Sequence, residues 1–539
     1  MAGDDTNYPG VQVIERPFQP TAQVAAVATA VGAFIGKTNQ GPETPYRVDS
    51  WSKFISVFGS TYTDLHNAVS DFFANGGNRC YIQRITGANA AKGSVNVYAS
   101  DAPQDPQNPG QVLPGTPPLI SFEALSPGSW GNLLYANIGA RDVVNKRFDI
   151  SLFRVPATIV FDPTKRNSEY LIEQWIDLSL DATDARYIYS MTNGPGGSGS
   201  SFVKVSGQSY DPTAPNTRPY PQTISTNKFN GGVDGSYIDP SYNNSASYQA
   251  GIDQMNTVPE PLVLNIPNVP DADIIRYAVS SAQNKGNIFV VIDPPINKLP
   301  SEITSYADTD LGIGSLGVST PSYGALYYPW CYLPALGSAA SGKTVLRPPG
   351  GAVVGLYLST DSTYGVWQAP AGTRARLAGA IDTERKFSNG DLALLNNHNV
   401  NVIKPSPGNG IVVFGTRTLK KSGKDIYIPV RRNLIYIRES CTNLTQFAPF
   451  RSNDTRLWQD IRGALDRFLG GLWSSGGLKG VTASQAYFIK CDATNNTPIS
   501  IGNGYTYVDV GVALLTPAEF IIITLGQFDG GADVIVSGL

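Results

Sequence analysis

Arg347 to Gly379 reads RPPGGAVVGLYLSTDSTYGVWQAPAGTRARLAG, and the kind of protein turns on how this stretch is read. Pro348-Pro349-Gly350-Gly351 stops one element and permits a tight change of direction. Ala352 to Leu358 is a buried run of small and branched residues around Gly355, and a polar turn carrying Asp361 is expected after it. Gly365-Val366-Trp367 and the corner Ala369-Pro370-Ala371-Gly372 follow. Nothing here is an obvious acid, base or metal ligand. The glycines and prolines instead call for closely packed backbone, which points to architecture rather than catalysis.

The whole chain agrees. Its 539 residues allow several domains, and 41% hydrophobic with 15% charged residues describes a globular protein with few surface charges. A formal net charge of -3 argues against wholesale nucleic-acid binding. Four isolated cysteines (Cys80, Cys331, Cys441, Cys491) read as free thiols in a reducing compartment, and two histidines (His66, His398) leave little material for a histidine-based site. Met1 to Gly10 is acidic and polar, unlike a secretory leader, and the apolar run Val24 to Ile35 is too short to span a bilayer. A soluble chain made in the cytoplasm is the expectation, with no direct membrane insertion.

Several elements can be placed from periodicity. Trp51–Gly59 reads as a short helix, Asp64–Asn75 as a one-faced helix ended by Gly76-Gly77, and Cys80–Ile85 as a strand. Ser100–Pro118 is a proline-rich loop opening an insertion. Strands are expected at Leu119–Leu125, Asp149–Phe153 and Thr158–Phe161, and a flexible loop at Ser190–Gly207. Leu262–Ile266, Asp271–Lys285 and Asn287–Ile292 give a strand–helix–strand unit, hence a parallel pair, with Asp293 as a structural stop. Tyr323–Leu333 is an aromatic strand interrupted by Pro329. Further strands are expected at Val400–Lys404, Gly410–Arg417, Ile426–Val430, Tyr487–Cys491 and Tyr505–Leu515. A helix following Asn453 or Asp454 buries Leu457, Trp458, Ile461, Leu465, Phe468, Leu469 and Leu472, and sets Arg456/Asp460 and Arg462/Asp466 as i,i+4 pairs on its outer face.

Two motifs tempt. Gly337 to Thr344 matches the phosphate-binding pattern GxxxxGK[ST], but such a loop needs a helix directly after it, and Pro348-Pro349-Gly350 forbids one. The basic stretch Arg417 to Arg438 has Tyr427 and Tyr436 as its only stacking partners, so a solvated or partner-facing surface is expected in preference to a nucleic-acid site. Asp361, Asp382 and Glu384 show neither metal-loop spacing nor a partner base. No catalytic residue, cofactor or metal is expected, and the chain is read as a non-enzyme.

The termini are informative. Val11, Val13 and Glu15 lie in an alternating strand bracketed by Pro9 and Pro17. Phe520, Ile521, Ile522, Ile523 and Leu525 form a strongly β-prone run that would aggregate if left as an open edge. Either these strands complete their own chain's sheet, or they add to a neighbouring subunit's sheet. A repeated heterologous link of that second kind builds an open helix.

The order Pro-Pro-Gly, Gly-x-Tyr, Asp, Gly-Val-Trp, Ala-Pro-Ala resembles the signature of contractile-tail sheath proteins of myophages and phage-like injection particles. Gly415-Thr416-Arg417-Thr418-Leu419, Arg431-Arg432, Glu439-Ser440 and Leu457-Trp458 follow in the family's order, and Cys441 departs from an expected aliphatic residue. The resemblance runs from Tyr8 to Phe528 and is weakest between Ala88 and Phe229.

That resemblance implies a mixed α/β multidomain fold. A discontinuous core domain would be built from the N-terminal part plus the C-terminal third, with outward insertion domains and extended terminal β-arms. The divisions expected are an arm at 1–20, core at 21–90, an outer insertion at 91–235, an α/β middle domain at 236–345, a C-terminal core at 346–517 and an arm at 518–539. It further implies a structural subunit that polymerises helically around a tail tube and contracts to drive the tube through a cell envelope. The partners would be other copies of itself, the tail tube protein, and baseplate and tail terminator proteins, in a virion or phage-like particle assembled in the host cytoplasm. The arm strands would link subunits, and Arg456, Asp460, Arg462 and Asp466 would lie on a tube-facing helix. The alternatives are a static self-assembling shell or surface-layer protein and a P-loop nucleotide-binding enzyme.

Overall fold

The computed structural model describes residues 30–108, 111–162, 168–194, 199–208, 220–222, 227–235, 245–312, 322–337 and 342–519. These form two compact units, residues 30–435 with 515–519, and residues 436–514. Both proposed arm strands, Val11 to Glu15 and Phe520 to Leu525, lie outside the described residues.

The larger unit is organised on an eight-stranded sheet. From edge to edge its strands are Gly410–Phe414, Val400–Ser406, Gly324–Tyr328, Ile288–Ile292, Leu262–Asn265, Val31–Lys37, Cys80–Ile85 and Tyr46–Val48. The inner strands all run parallel, and the two edge strands are antiparallel to their neighbours. A parallel sheet is covered on both faces, which is why its strands read as unbroken apolar runs rather than alternating ones. Ile288, Val290 and Ile292 enter the core on one face, and Phe289 and Val291 the core on the other. Helices Ser245–Met255 and Ala272–Lys285 contribute to the first core, and helices Asp64–Ala74 and Gly350–Tyr364 to the second.

The strand–helix–strand unit forms as read, with Asp271 capping its helix through the Asp273 and Ile274 amides. The segment 236–345, expected as a separate middle domain, supplies three strands of this one sheet, hydrogen-bonded directly to Val31–Lys37 and through it to Cys80–Ile85. The core therefore joins the N-terminal part to the middle of the chain, while residues 436–514 form their own unit.

Gly350–Tyr364 is a helix buried on all sides for most of its length. A Cβ added to Gly351 would lie 2.3 Å from the Ala68 carbonyl oxygen, and one on Gly355 would lie 2.4 Å from that of Phe72. The two helices thus meet backbone to backbone. The helix runs on to Tyr364, where the sequence reading placed a polar turn, and Asp361 is buried within it. Burial is tolerated there because Arg432 neutralises the carboxylate.

Residues 91–235 build two antiparallel sheets around a third core. One runs Asn227–Lys228, Leu134–Asp142, Arg147–Arg154, Leu171–Leu178, and the other Ser94–Val97, Ile120–Ala124, Val203–Gly207. The segment starts and returns where Ala91 pairs with Val233. It is fastened to the main sheet by Arg84, fully buried, which donates to the carbonyls of Thr38 (3.0 Å), Gly41 (3.1 Å) and Pro127 (2.9 Å).

Several elements differ from the reading. Thr158–Phe161 is a turn region with Val160 fully exposed, since Pro156 and Pro163 leave no room for a paired strand. Ser190–Gly207, expected as a flexible loop, includes the strand Val203–Gly207. Ile426–Val430 is not a strand, because a helix begins at Ile428 with Pro429 in its first turn, where a missing amide costs nothing. Tyr505–Leu515 contains only the short strand Asp509–Val512. All four cysteines are free, as read.

The backbone contact predicts that Gly351→Ala destabilises the fold by about 1–3 kcal/mol, measured by denaturant unfolding. Ala352→Gly, which adds no atom at the contact, should leave the helix crossing intact.

Candidate functional site

The nucleotide reading fails on geometry. Lys343 and Thr344 lead into the strand Thr344–Arg347, antiparallel to Cys331–Pro334, and Ala335 N–H donates to the Lys343 carbonyl (2.9 Å). A strand at this point presents no cluster of free helix amides to a phosphate.

Among the described residues no group of three or more His, Cys, Asp or Glu side chains is placed to hold a metal ion, and no helix is long and apolar enough to cross a membrane. The acids singled out in the sequence have structural partners instead. Asp361 receives the Arg432 guanidinium at 2.8 and 2.5 Å, and Arg432 also lies 4.7 Å from the centre of the Tyr357 ring. Asp382 pairs with Lys386. Asp293 accepts from Gly350 N–H (2.7 Å) and Asn265 Nδ2 (3.1 Å), so it ties a strand end to the N-terminus of the buried glycine-rich helix.

The basic stretch is only in part the solvated or partner-facing surface expected: Lys421, Lys424 and Arg438 are exposed, whereas Arg432 is buried and Arg417, Lys420 and Arg431 are half-buried. Arg417 pairs with Glu519, Lys420 and Arg431 with Asp425, Lys421 with Asp308, and Arg432 with Asp361. Burial opposes ionisation of Asp425, yet hydrogen bonds from Lys420 and Ser322 and the charge of Arg431 hold its carboxyl down at about 2. The sequence showed the cations clustered but not the acids, most of which come from distant segments.

The smaller unit holds the candidate helix. Thr455–Ser474 is capped by Asp454, which accepts from Leu457 N–H at 2.9 Å, and buries Leu457, Trp458, Ile461, Leu465, Leu469 and Leu472 as read, with Phe468 half-buried. Its inner face packs on Cys441, Ala448, Ile489 and Val508. Arg456, Asp460, Arg462 and Asp466 are all exposed. The expected i,i+4 pairs are replaced: Asp460 pairs with Arg451 (2.9 Å), and Asp466 accepts from the Tyr487 hydroxyl (2.9 Å). A cation placed N-terminal to an acid is the poorer orientation on a helix, so partners from outside it win.

Beside this helix lies a two-stranded sheet, Tyr487–Lys490 with Asp509–Val512. Phe488 stands 60% exposed over Gly511, where any Cβ would fall 2.1 Å from its ring. A groove of about 560 Å³ runs between helix and sheet, lined by Arg462 and Asp466 on one side and Tyr487 and Phe488 on the other. An isolated two-stranded sheet is marginal in water and has unpaired backbone on both edges. Sequence reasoning found both strands but not that, among the described residues, they pair only with each other.

In the larger unit, the last described residue is held firmly. Glu519 accepts from Arg417 Nε (2.9 Å) and Nη2 (2.6 Å), and Arg417 N–H donates to Asn401 Oδ1 (2.7 Å). The residue preceding the β-prone run is thereby fixed to the strand Val400–Ser406.

Residues 270–419 match the phage tail sheath protein central domain, and residues 426–527 the phage tail sheath C-terminal domain. The chain thus matches both the central and the C-terminal domain of phage tail sheath proteins. The chain also shares its fold with solved structures. The contracted helical sheath of the anti-feeding prophage is 21% identical, covering 97% of this chain and 99% of that one, with a TM-score of 0.55. The contracted sheath complex of the extracellular contractile injection system PVC is 19% identical, covering 97% and 98%, with a TM-score of 0.53. The sheath tail protein Lin1278 from Listeria innocua is 11% identical, covering 91% and 96%, with a TM-score of 0.59. No curated protein sequence matches this chain.

Two variants test the buried charges. Arg432→Met leaves Asp361 buried and unpaired, and should cost about 3–5 kcal/mol of stability. Burial raises the Asp293 carboxyl to about 6 against the hydrogen bonds from Asn265 and Gly350. Its ordinary value is about 3.9, so the folded state holds the proton more tightly, and this contribution to stability is full below about pH 4 and lost as pH rises through about 6. The unfolding free energy of the wild type relative to Asp293→Asn should therefore fall between about pH 4 and 6 and be flat above. A difference that does not change with pH would contradict this.

Proposed function

We propose that this chain is the structural subunit of a contractile tail. It polymerises helically around a tail tube and shortens to drive the tube through a target envelope, in a virion or phage-like particle. The observation that carries the reading is the pair of matches to tail sheath domains over residues 270–419 and 426–527, together with a sheet that has two strands among the described residues. The terminal strands, Val11 to Glu15 and Phe520 to Leu525, complete such a sheet on neighbouring copies. Glu519, gripped by Arg417, sets the root of the C-terminal strand. Each link is heterologous, so repetition gives an open helix.

The helix Thr455–Ser474 exposes Arg456, Asp460, Arg462 and Asp466, suited to a polar hold on the tube. Exposed pairs contribute only about 0–1 kcal/mol each, which allows the hold to break on contraction. Baseplate and tail terminator proteins would bound the polymer at its ends. The energy resides in the assembled lattice, and no nucleotide enters.

Removing residues 1–16 or 520–539, the latter sparing Glu519, tests the arms. Each truncated protein should stay soluble and folded, with the melting temperature of the full chain to within a few degrees, yet form no tubes in the electron microscope. Normal helical sheaths from both would contradict the arm mechanism. Reversing charge at Arg456 and Arg462 together should leave the fold and the tubes unchanged but reduce co-sedimentation with tube protein.

A further inference from the structure

At the junction of the 91–235 segment with the main sheet, within the larger unit, lies a cavity of about 440 Å³. Arg154 and Lys228 line it, together with Trp130 and Tyr135, and no acidic residue does. In a chain of net charge -3, this is a locally cationic site.

Strand register sets the two cations on opposite faces of the sheet, each at the end of its strand, from which both reach the cavity. Arg154 lies opposite Leu134, while Lys228 lies opposite Tyr135 from the other side of the same strand. Strands spaced about 4.8 Å apart put the two backbones about 10 Å from each other. The Lys228 amine stands 5.7 Å from the Tyr135 ring centre, and the Arg154 guanidinium carbon 5.9 Å from that of Trp130.

Arg154 is the unusual member. It is half-buried and donates to the neutral Gln40 Oε1 at 2.7 Å. Among the described residues neither Arg154 nor Lys228 makes an ion pair, unlike Arg347 and Arg432, the buried arginines that meet carboxylates. Burial lowers the pKa of Arg154. A partly desolvated guanidinium has N–H donors to spare and gains most from a charged acceptor. Val155, Pro156 and Ile159 add an apolar wall beside it.

We propose that this cavity is an oxyanion-binding site that takes a carboxylate flanked by an apolar body. The group is either a free small carboxylate or an acidic side chain of a second copy of this chain. Arg154 supplies the charge-assisted hydrogen bond, Lys228 the second positive charge at the rim, and the wall of Val155 and Ile159 receives the apolar portion.

The test is calorimetric titration of the unassembled full chain with sodium benzoate, with ionic strength held constant by sodium chloride. The wild type should saturate. Arg154→Gln should weaken binding about tenfold or more, Lys228→Gln should weaken it less, and Lys204→Gln, an exposed cation outside the cavity, should bind as the wild type does. Lys228 is exposed, so its variant reports on the site without a folding defect. Lack of saturation, or equal affinity in Arg154→Gln and the wild type, would overturn the proposal.

A second arm identifies the source. If the carboxylate belongs to a second copy, Arg154→Gln raises the concentration needed for polymerisation and benzoate competes with assembly. If it is free, polymerisation is the same in both proteins. The titration reads the unassembled chain, so its result stands apart from the sheath assignment.

Discussion

The approach of two helix backbones, Gly351 against the Ala68 carbonyl and Gly355 against that of Phe72, is the constraint on which the larger unit depends. It brings a segment near residue 350 onto one near residue 70 and leaves no room for a side chain between them. Beside it, the buried pair Arg347–Asp71 (2.8 Å) spans the same division of the chain, and Asp293 holds the first turn of the same helix. Breaking any one of these would expose or orphan a polar group in the core. The strands on either side therefore behave as one body, although the chain leaves that body to build the 91–235 segment and returns to it.

A body of that kind suits a subunit that changes neighbours without changing its own fold. The charges that could have served chemistry are instead consumed internally: Asp361 by Arg432, Asp425 by Lys420 and Arg431, Glu519 by Arg417. Among the described residues, the sheet Tyr487–Lys490 with Asp509–Val512 has two strands only, and the helix Thr455–Ser474 keeps Arg456, Asp460, Arg462 and Asp466 exposed. Both are features through which copies or partners can be held. Backbone pairing gives a link that survives movement, and exposed charges give one that releases.

Much of this was legible in the sequence, and the gaps have physical causes. Ile288–Ile292 and the helix after Asp454 were readable because burial on fixed faces imposes a period. The glycines of Gly350 to Gly355 announced close packing because nothing larger fits. Leu171–Leu178 was missed because it is a half-exposed edge strand whose apolar pattern is diluted by Glu173, Gln174 and Asp177. Asp361 was misplaced in a turn because its partner lies far along the chain, and a carboxylate looks solvent-seeking until that partner is known. The helix pairs Arg456/Asp460 and Arg462/Asp466 satisfied spacing but not orientation, and Arg451 and Tyr487 took the acids.

The most direct measurement is electron microscopy of the purified full-length chain, alone and at high concentration, followed by addition of tube protein. The account predicts hollow, striated tubes of one width, with the eight-stranded body unchanged at every lattice point. A chain that stays monomeric alone and is not recruited by added tube protein would contradict it.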